Sequence, residues 1–450
     1  MRARIGVFRV QGFGMLGCMH HNSPGFQAAL EAAFHAAIAY LDALEDRPVA
    51  AAAGVSALRK RLSKPLDDRG LDAEEVVRDL VRDAQDGILG TTGGRFFAWA
   101  IGGCVPAALA ADWLTSAWDQ NAVLYATSPA AAVVEEVAGE WLKELLGIPR
   151  TASFAFVSGC QMAHLTCLAA ARHALLENRG WDVERRGLCG SPPIRVLASN
   201  RHGSIERAIR LLGIGEDNVQ DLELNENQQI TPQALSAALA AAAGTATVVV
   251  LQAGDLNSGS FDEYGAVIPV AKQYGAWVHV DGAFGLWAGA SPRYRHFLAG
   301  VEAADSWATD GHKWLNVPHD SGYAFVARPA AHRAAMSHRA PYLVHDRDAR
   351  DEMDWNPEWS RRARGFSTYA ALRELGRDGV TALVDGCCAH ASAMVDGIGR
   401  LPGAQVLWRP SINQGLVRFL DPSGADHDRR TDDVIGAINA SGEAFFGGTT

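Results

Sequence analysis

Between residues 151 and 330 the chain keeps switching between two hydrophobic periods. Short apolar runs that read as buried strands are "SFAFVSG", "IRVLASN", "TATVVVLQAG" and "AWVHVDGAFG". Between them lie stretches with helical spacing: "MAHLTCLAAARHALL", "SIERAIRLLG", "TPQALSAALAAAAG" and "YGAVIPVAKQYG". "DSWATDG" and "SGYAFVAR" add two more short strands. This β-α-β-α order predicts an α/β fold, a mostly parallel sheet with helices on both faces. Ligands of such sheets bind beyond the carboxyl ends of the strands.

The flanks read differently. Residues 23 to 90 are rich in Ala and Leu at helical spacing and predict helices. "GTTGGRFFAWAIGGCVP" predicts a loop, either with a task of its own or as a packed crossing. A helix follows, with Ser128 as N-cap, Pro129 at its first position and Gly147 as its stop. Val133, Val134, Val137, Trp141, Leu142 and Leu145 share one face of it. Beyond 330, "HRAPYLVHDRDARDEMDWNPEWSRRARG" is charged and reads as a surface loop or a lid. "STYAALRELGRDGVTALVDGCCAHASAMVDGIGRL" then reads as helices and "AQVLWRPSINQGLVRFL" as a strand pair. Three parts are expected: a helical segment over 1–105, a large domain over 106–365, and a smaller α+β domain over 366–450. The last stops at "GEAFFGGTT", which reads as an unpaired strand edge of a truncated domain.

Composition narrows the classes. The net charge of −10, without a long basic run, argues against a nucleic-acid binder. No apolar stretch has the length of a membrane span. The N-terminus carries basic residues without a continuous apolar core, which reads as a leader rather than a signal peptide. The seven cysteines form no C-x-x-C pair, and no H-E-x-x-H occurs among the 15 histidines. Neither a disulfide framework nor a metal site is expected, and a reducing cytoplasm is.

The polar residues just past the strands carry the chemistry. After "FAFV" come Ser158, Gly159, Cys160 and Gln161, opening a helix. Small residues at a helix N-terminus can cradle an anion, although most strand-to-helix turns are small and polar in any case. Arg201-His202 follows the next strand, where a histidine is more often a surface cap than a working group. Asp281 closes "AWVHV", and an ionised carboxylate there needs a cationic partner. His312-Lys313 stands 32 residues further on, in a polar turn where a solvated lysine would be unremarkable alone. Taken together, the cradle, a flat neighbour, a carboxylate and a lysine meet the four needs of pyridoxal phosphate: phosphate, ring face, pyridinium nitrogen and aldehyde.

The segments "RFFAWAIGGCVPAALAADWLTSAWDQN", "HVDGAFG" and "DSWATDGHKWLNVPHDSG" resemble the group II pyridoxal-dependent decarboxylases, aromatic-L-amino-acid decarboxylase among them. The resemblance covers roughly residues 30 to 450. It implies the aspartate-aminotransferase-like fold of pyridoxal phosphate-dependent transferases, a homodimer exchanging its N-terminal helices, and a carboxy-lyase acting on an L-amino acid. It implies that Lys313 forms the Schiff base and Asp281 pairs with the pyridinium nitrogen. His202 would stack on the ring and Ala283 lie against the other face. Gly159 would open the turn, with Cys160, Gln161 and His312 at the phosphate. Tyr342, in "APYL", matches a loop tyrosine that supplies a proton, and Arg361 an arginine that closes that loop. His202 and Tyr342 are thus the proton donors to weigh.

The chain also departs from the pattern. "FAWAIGGC" stands where the aromatic-amino-acid enzymes have a Tyr-Phe-Pro-Thr run, and Asp310-Gly311 replaces the commoner Asn-Pro before His312. An aminotransferase, an aldehyde synthase that consumes O2, or a truncated non-catalytic paralogue remain alternatives on the same scaffold.

Overall fold

The alternating segment forms a single sheet. The computed structural model describes residues 24–338 and 349–449. Seven strands line up: β1 (Ser153–Val157), β2 (Ile194–Ala198), β3 (Val219–Asp221), β4 (Ala246–Gln252), β5 (Trp277–Asp281), β6 (Ser306–Asp310) and β7 (Gly322–Val326). Their spatial order is β1-β7-β6-β5-β4-β2-β3. Strands β6, β5, β4, β2 and β3 pair in parallel, and β7 runs antiparallel to both β6 and β1. β1 therefore points the same way as β2 to β6. The short β3 was not foreseen; three residues are too few to display a period.

Two compact units divide the chain. The smaller takes residues up to Phe97 together with Gly436–Phe446. Its helices are α1 (Pro24–Asp42), α2 (Val55–Leu62) and α3 (Ala73–Ala84). Asp72 caps α3 by accepting the Glu74 N–H at 3.0 Å. The edge expected to stay unpaired is paired: Phe445–Phe446 aligns in parallel with Phe96–Phe97, and Phe96 stacks on Phe445.

The larger unit, Ala98–Ile435 with Gly447–Thr450, holds the sheet. It includes α4 (Pro106–Trp118), α5 (Pro129–Leu146), α6 (Cys160–Glu177) and α7 (Gly203–Leu211). Strand residues alternate between two apolar clusters, because side chains alternate across a sheet. Phe154, Phe156, Val249, Leu251, Val278 and Val280 belong to one cluster. Ala155, Val157, Val248, Val250, Trp277 and Ala308 join α6 in the other. Both faces are covered, as a parallel sheet requires.

Helix α5 spans the expected residues, but two details differ. Ser128 does not cap it; its Oγ donates to the Asn121 carbonyl at 2.9 Å. The buried face is also not the one its bulky residues mark. Ala131, Glu135, Ala138, Gly139, Leu142 and Leu146 are buried, whereas Val133 is exposed. Small residues win because α5 lies close against β1. A Cβ on Gly139 would collide with the Phe154 ring.

This close approach buries an ion pair. Arg361 sits 2.8 Å from Glu135 and also donates to the carbonyls of Ala122 (2.8 Å) and Phe156 (2.7 Å). Neither side chain of the pair reaches solvent. Arg361 thus ties α5 to β1. Removing one partner strands the other charge. Arg361→Met should cost about 3–5 kcal/mol in urea unfolding. Adding Glu135→Leu should recover part of that loss, but not all, since two carbonyls still lack their donor.

Candidate active site

Because β1, β5 and β6 run parallel, their carboxyl ends open on one edge. β1 leads through Ser158-Gly159 into α6, β5 ends at Asp281, and β6 ends at Asp310. His312 and Lys313 sit in the turn that joins β6 to β7.

The cradle and the lysine turn meet at Asp310. Its Oδ1 accepts the Cys160 N–H at 2.6 Å, and its Oδ2 lies 3.4 Å from Lys313 Nζ. His312 Nε2 stands 3.5 Å from Oδ1. A Cβ on Gly159 would lie 3.1 Å from the His312 ring, and one on Gly322 would collide with Gly159 itself. His312 Nδ1 accepts the Ser321 N–H at 3.2 Å, and its ring stacks on His319. Burial, then His319, push His312 down to about 3, so the ring is neutral. The Gln161 Nε2 is buried without a partner.

The glycine-rich loop packs on this turn. Gly102 N–H donates to the His312 carbonyl at 3.2 Å, and Gly103 N–H to Asn316 Oδ1 at 3.0 Å. A Cβ on Gly102 would collide with the Lys313 carbonyl. Trp99, in the same loop, is 63% exposed with a left-handed backbone.

Asp281 is buried, and its contacts are with uncharged groups. Oδ1 accepts the Ala283 N–H at 3.2 Å, and Oδ2 lies 3.5 Å from His164 Nε2. Behind it runs a polar row in the apolar core. His164 Nδ1 is 2.9 Å from His279 Nε2, and His279 Nδ1 is 2.9 Å from Ser306 Oγ. Trp277 Nε1 donates to the same oxygen at 2.9 Å. Burial pushes both histidines to about 3, helped at His164 by His202 and Lys313, and at His279 by His164.

Cys160 Sγ also approaches His164 Nε2, at 3.3 Å. The ligand atoms of Cys160, His164 and Asp281 lie within 4.8 Å of one another, a spacing that could hold a metal. Burial raises the Cys160 thiol well above its ordinary value.

Gly159, Cys160, Gln161, Asp281, Ala283, His312 and Lys313 therefore share one edge. His202 caps α7: its Nδ1 accepts the Ser204 N–H at 3.2 Å, and its ring is exposed. Tyr342 lies outside the described residues. His164, His279 and Ser306 escaped the sequence reading, and Asp310 entered it only as a departure before His312. The alternation W-x-H-x-D in "WVHVD" was the available sign, since it puts Trp277, His279 and Asp281 on one face.

The residues fit pyridoxal phosphate. Asp281 is a buried carboxylate that needs a cation, which a pyridinium nitrogen supplies. Gln252, in register with Asp281 on β4, has a buried Nε2 without a partner, as does Gln161. Such orphaned donors await an acceptor.

Asp310 gives a pH signature. Burial raises its carboxyl from 3.8 to about 6, against the pull of Lys313 and the Cys160 N–H. Folding therefore takes up a proton between these values. The stability this group supplies is present below the lower value and lost as pH rises through the upper one. Asp310→Asn should gain on wild type between pH 4 and 7, by on the order of 3 kcal/mol, in urea unfolding of cofactor-free protein. A difference independent of pH would show that Asp310 titrates as an ordinary carboxyl.

Comparison with known proteins agrees with this geometry. Residues 56–420 match the model of the pyridoxal-dependent decarboxylase conserved domain. The chain is 27% identical over 347 residues to an aromatic-L-amino-acid decarboxylase of Bacillus atrophaeus, covering 75% of this chain and 70% of that protein. It is 26% identical over 432 residues to a phenylacetaldehyde synthase of a Rosa hybrid cultivar, covering 90% and 84%. The fold superposes on Oryza sativa TDC, solved with PLP and tryptamine, with a TM-score of 0.89 at 24% identity over 96% of this chain and 92% of that one. The chain belongs to the pyridoxal-dependent decarboxylase family and is a carboxy-lyase that uses pyridoxal phosphate.

Proposed function

We propose that this chain decarboxylates an aromatic L-amino acid to the amine and CO2, with Lys313 and Asp281 as its central residues. The observation that carries the reading is Asp281, a buried carboxylate with neutral neighbours, on the same sheet edge as Lys313. The aromatic class rests on the relatives, which include tyrosine and DOPA decarboxylases.

Pyridoxal phosphate supplies an aldehyde for the substrate amine and an electron-poor ring for the electron pair left when CO2 departs. In this reading Lys313 holds the cofactor covalently and later releases the product. Asp281 accepts the ring N–H. Gly159, Cys160, Gln161 and His312 receive the phosphate, and Ala283 leaves room beside the ring. His202 and Tyr342 are the candidates to return a proton to Cα.

The test is a product balance. Aromatic L-amino acids should yield CO2 and amine one to one, without oxygen uptake. Lys313→Ala should lose the visible absorption of bound cofactor and turnover together. A Lys313→Ala protein retaining both would move the nucleophile elsewhere. Aldehyde, ammonia and peroxide from the wild type would identify an aldehyde synthase, the activity named for the Rosa relative.

The same reading includes a homodimer in a cytoplasmic setting. Among the described residues no helix is long and apolar enough to cross a membrane. On α1, Phe26, Leu30, Phe34 and Ile38 recur every fourth position, so they share a face. All four are exposed in the single chain. Such an apolar stripe marks a protein interface. Phe26→Glu with Leu30→Glu should shift the protein from dimer to monomer in sedimentation equilibrium. An unchanged mass would remove α1 from the interface.

A further inference from the structure

We infer that His164, held by His279, is a positioning residue for Asp281: a one-way chain of donors from Trp277 through Ser306 and His279 turns its Nε2–H toward the carboxylate. This rests on the reading of Asp281 as the partner of the cofactor's ring nitrogen.

The direction follows from the two ends of the row. The Trp277 indole can only donate, and an ionised carboxylate can only accept. Ser306 Oγ accepts from Trp277 at 2.9 Å, which leaves its own proton for His279 Nδ1, also at 2.9 Å. His279 then carries its proton on Nε2 and donates to His164 Nδ1 at 2.9 Å. His164 in turn carries its proton on Nε2, which faces Asp281 Oδ2 at 3.5 Å and Cys160 Sγ at 3.3 Å. The reverse direction turns a nitrogen lone pair toward the carboxylate. It also brings two N–H donors to Ser306 Oγ and leaves the Ser306 proton only the weakly accepting Cys167 sulfur.

The row lies wholly under α6. Trp277, His279 and Asp281 alternate on β5, and Ser306 is in register with His279 on β6. His164 comes from the first turns of α6 and is fully buried. Burial keeps both rings neutral, so the row delivers an oriented dipole and no net charge. Asp281 accepts the Ala283 N–H at Oδ1, and the Nε2 edge of His164 stands 3.5 Å from Oδ2, where its dipole faces the carboxylate without a formed hydrogen bond. One N–H bond and one oriented ring hold the carboxylate plane and leave its outer lone pairs for the cofactor.

The test compares cofactor binding, read by visible absorption, in wild type, His279→Leu, His279→Gln and Asp281→Asn. Losing the donor in His279→Leu should weaken binding on the order of ten-fold and shift the visible band. His279→Gln puts an amide N–H near the lost Nε2 and should restore most of the affinity. In protein carrying 15N-labelled histidine, His164 and His279 should both appear as neutral Nε2–H tautomers, and this readout needs no variant to fold. A His279→Leu protein with wild-type affinity and spectrum, beside an Asp281→Asn protein that has lost both, would overturn the inference and leave the site reading intact. Wild-type binding by both variants would end both readings. Nδ1–H tautomers, or a lowered Tm with unchanged spectrum and tautomers, would reduce the row to a structural role.

Discussion

Polar side chains buried in an apolar core must satisfy one another, and that demand organises this molecule around α6. Trp277, Ser306, His279 and His164 each bring a polar atom into a cluster otherwise built mainly of Ala, Val, Leu and Ile with two cysteines. An unsatisfied buried donor or acceptor costs about 1–3 kcal/mol. The row meets this by linking every member to the next, and His164 closes it on Cys160 Sγ at 3.3 Å, beside Asp281. β5, β6 and α6 are therefore locked in mutual register by hydrogen bonds as well as by packing. The edge carrying Asp281, Asp310 and the start of α6 inherits that rigidity, which a site built on regular elements needs.

A second set of contacts fixes the lysine turn. Turns between strands are usually free to move, yet this one is held on two sides. Ser321 bonds the His312 ring from within the turn, while Gly102 and Gly103 bond its backbone and Asn316 from outside. The glycines are required because the two backbones touch; a side chain at Gly102 would displace the Lys313 carbonyl. The loop was read as either a working loop or a packed crossing. It packs on the lysine turn, as the packed-crossing reading has it.

The legible part of the fold was what periodicity encodes. Six of the seven sheet strands and the helices between them announced themselves through alternation and helical spacing, because both sheet faces are covered and these six strands are mostly apolar, unlike the Val-Gln-Asp of β3. Residues at strand exits were legible for the same reason, since the fold class dictates where polar groups gather. What escaped depends on contacts between distant segments. The buried face of α5 could not be read from its valines, because the fit of Gly139 to Phe154 decides it. His164 looked like one polar residue in an Ala-rich helix, and its partner lies 115 positions away. Asp310 was noticed as a departure, but the amide it caps belongs to Cys160, 150 positions earlier.

Charge at the site shows why these missed residues matter. Three histidines that could carry charge, His164, His279 and His312, are each pushed to about 3 and stay neutral. Two carboxyls and one lysine amine remain. A cofactor that brings a cationic ring nitrogen to Asp281 satisfies one carboxyl. Its phosphate would arrive beside the other, at the helix start that Asp310 already caps. A neighbouring anion raises a carboxyl, in the same direction as the burial that has already brought Asp310 to about 6. The two effects together favour the protonated acid. In that form Asp310 can donate to an oxygen, as the amide of an asparagine would. An acid at this position is thus compatible with a neighbouring phosphate.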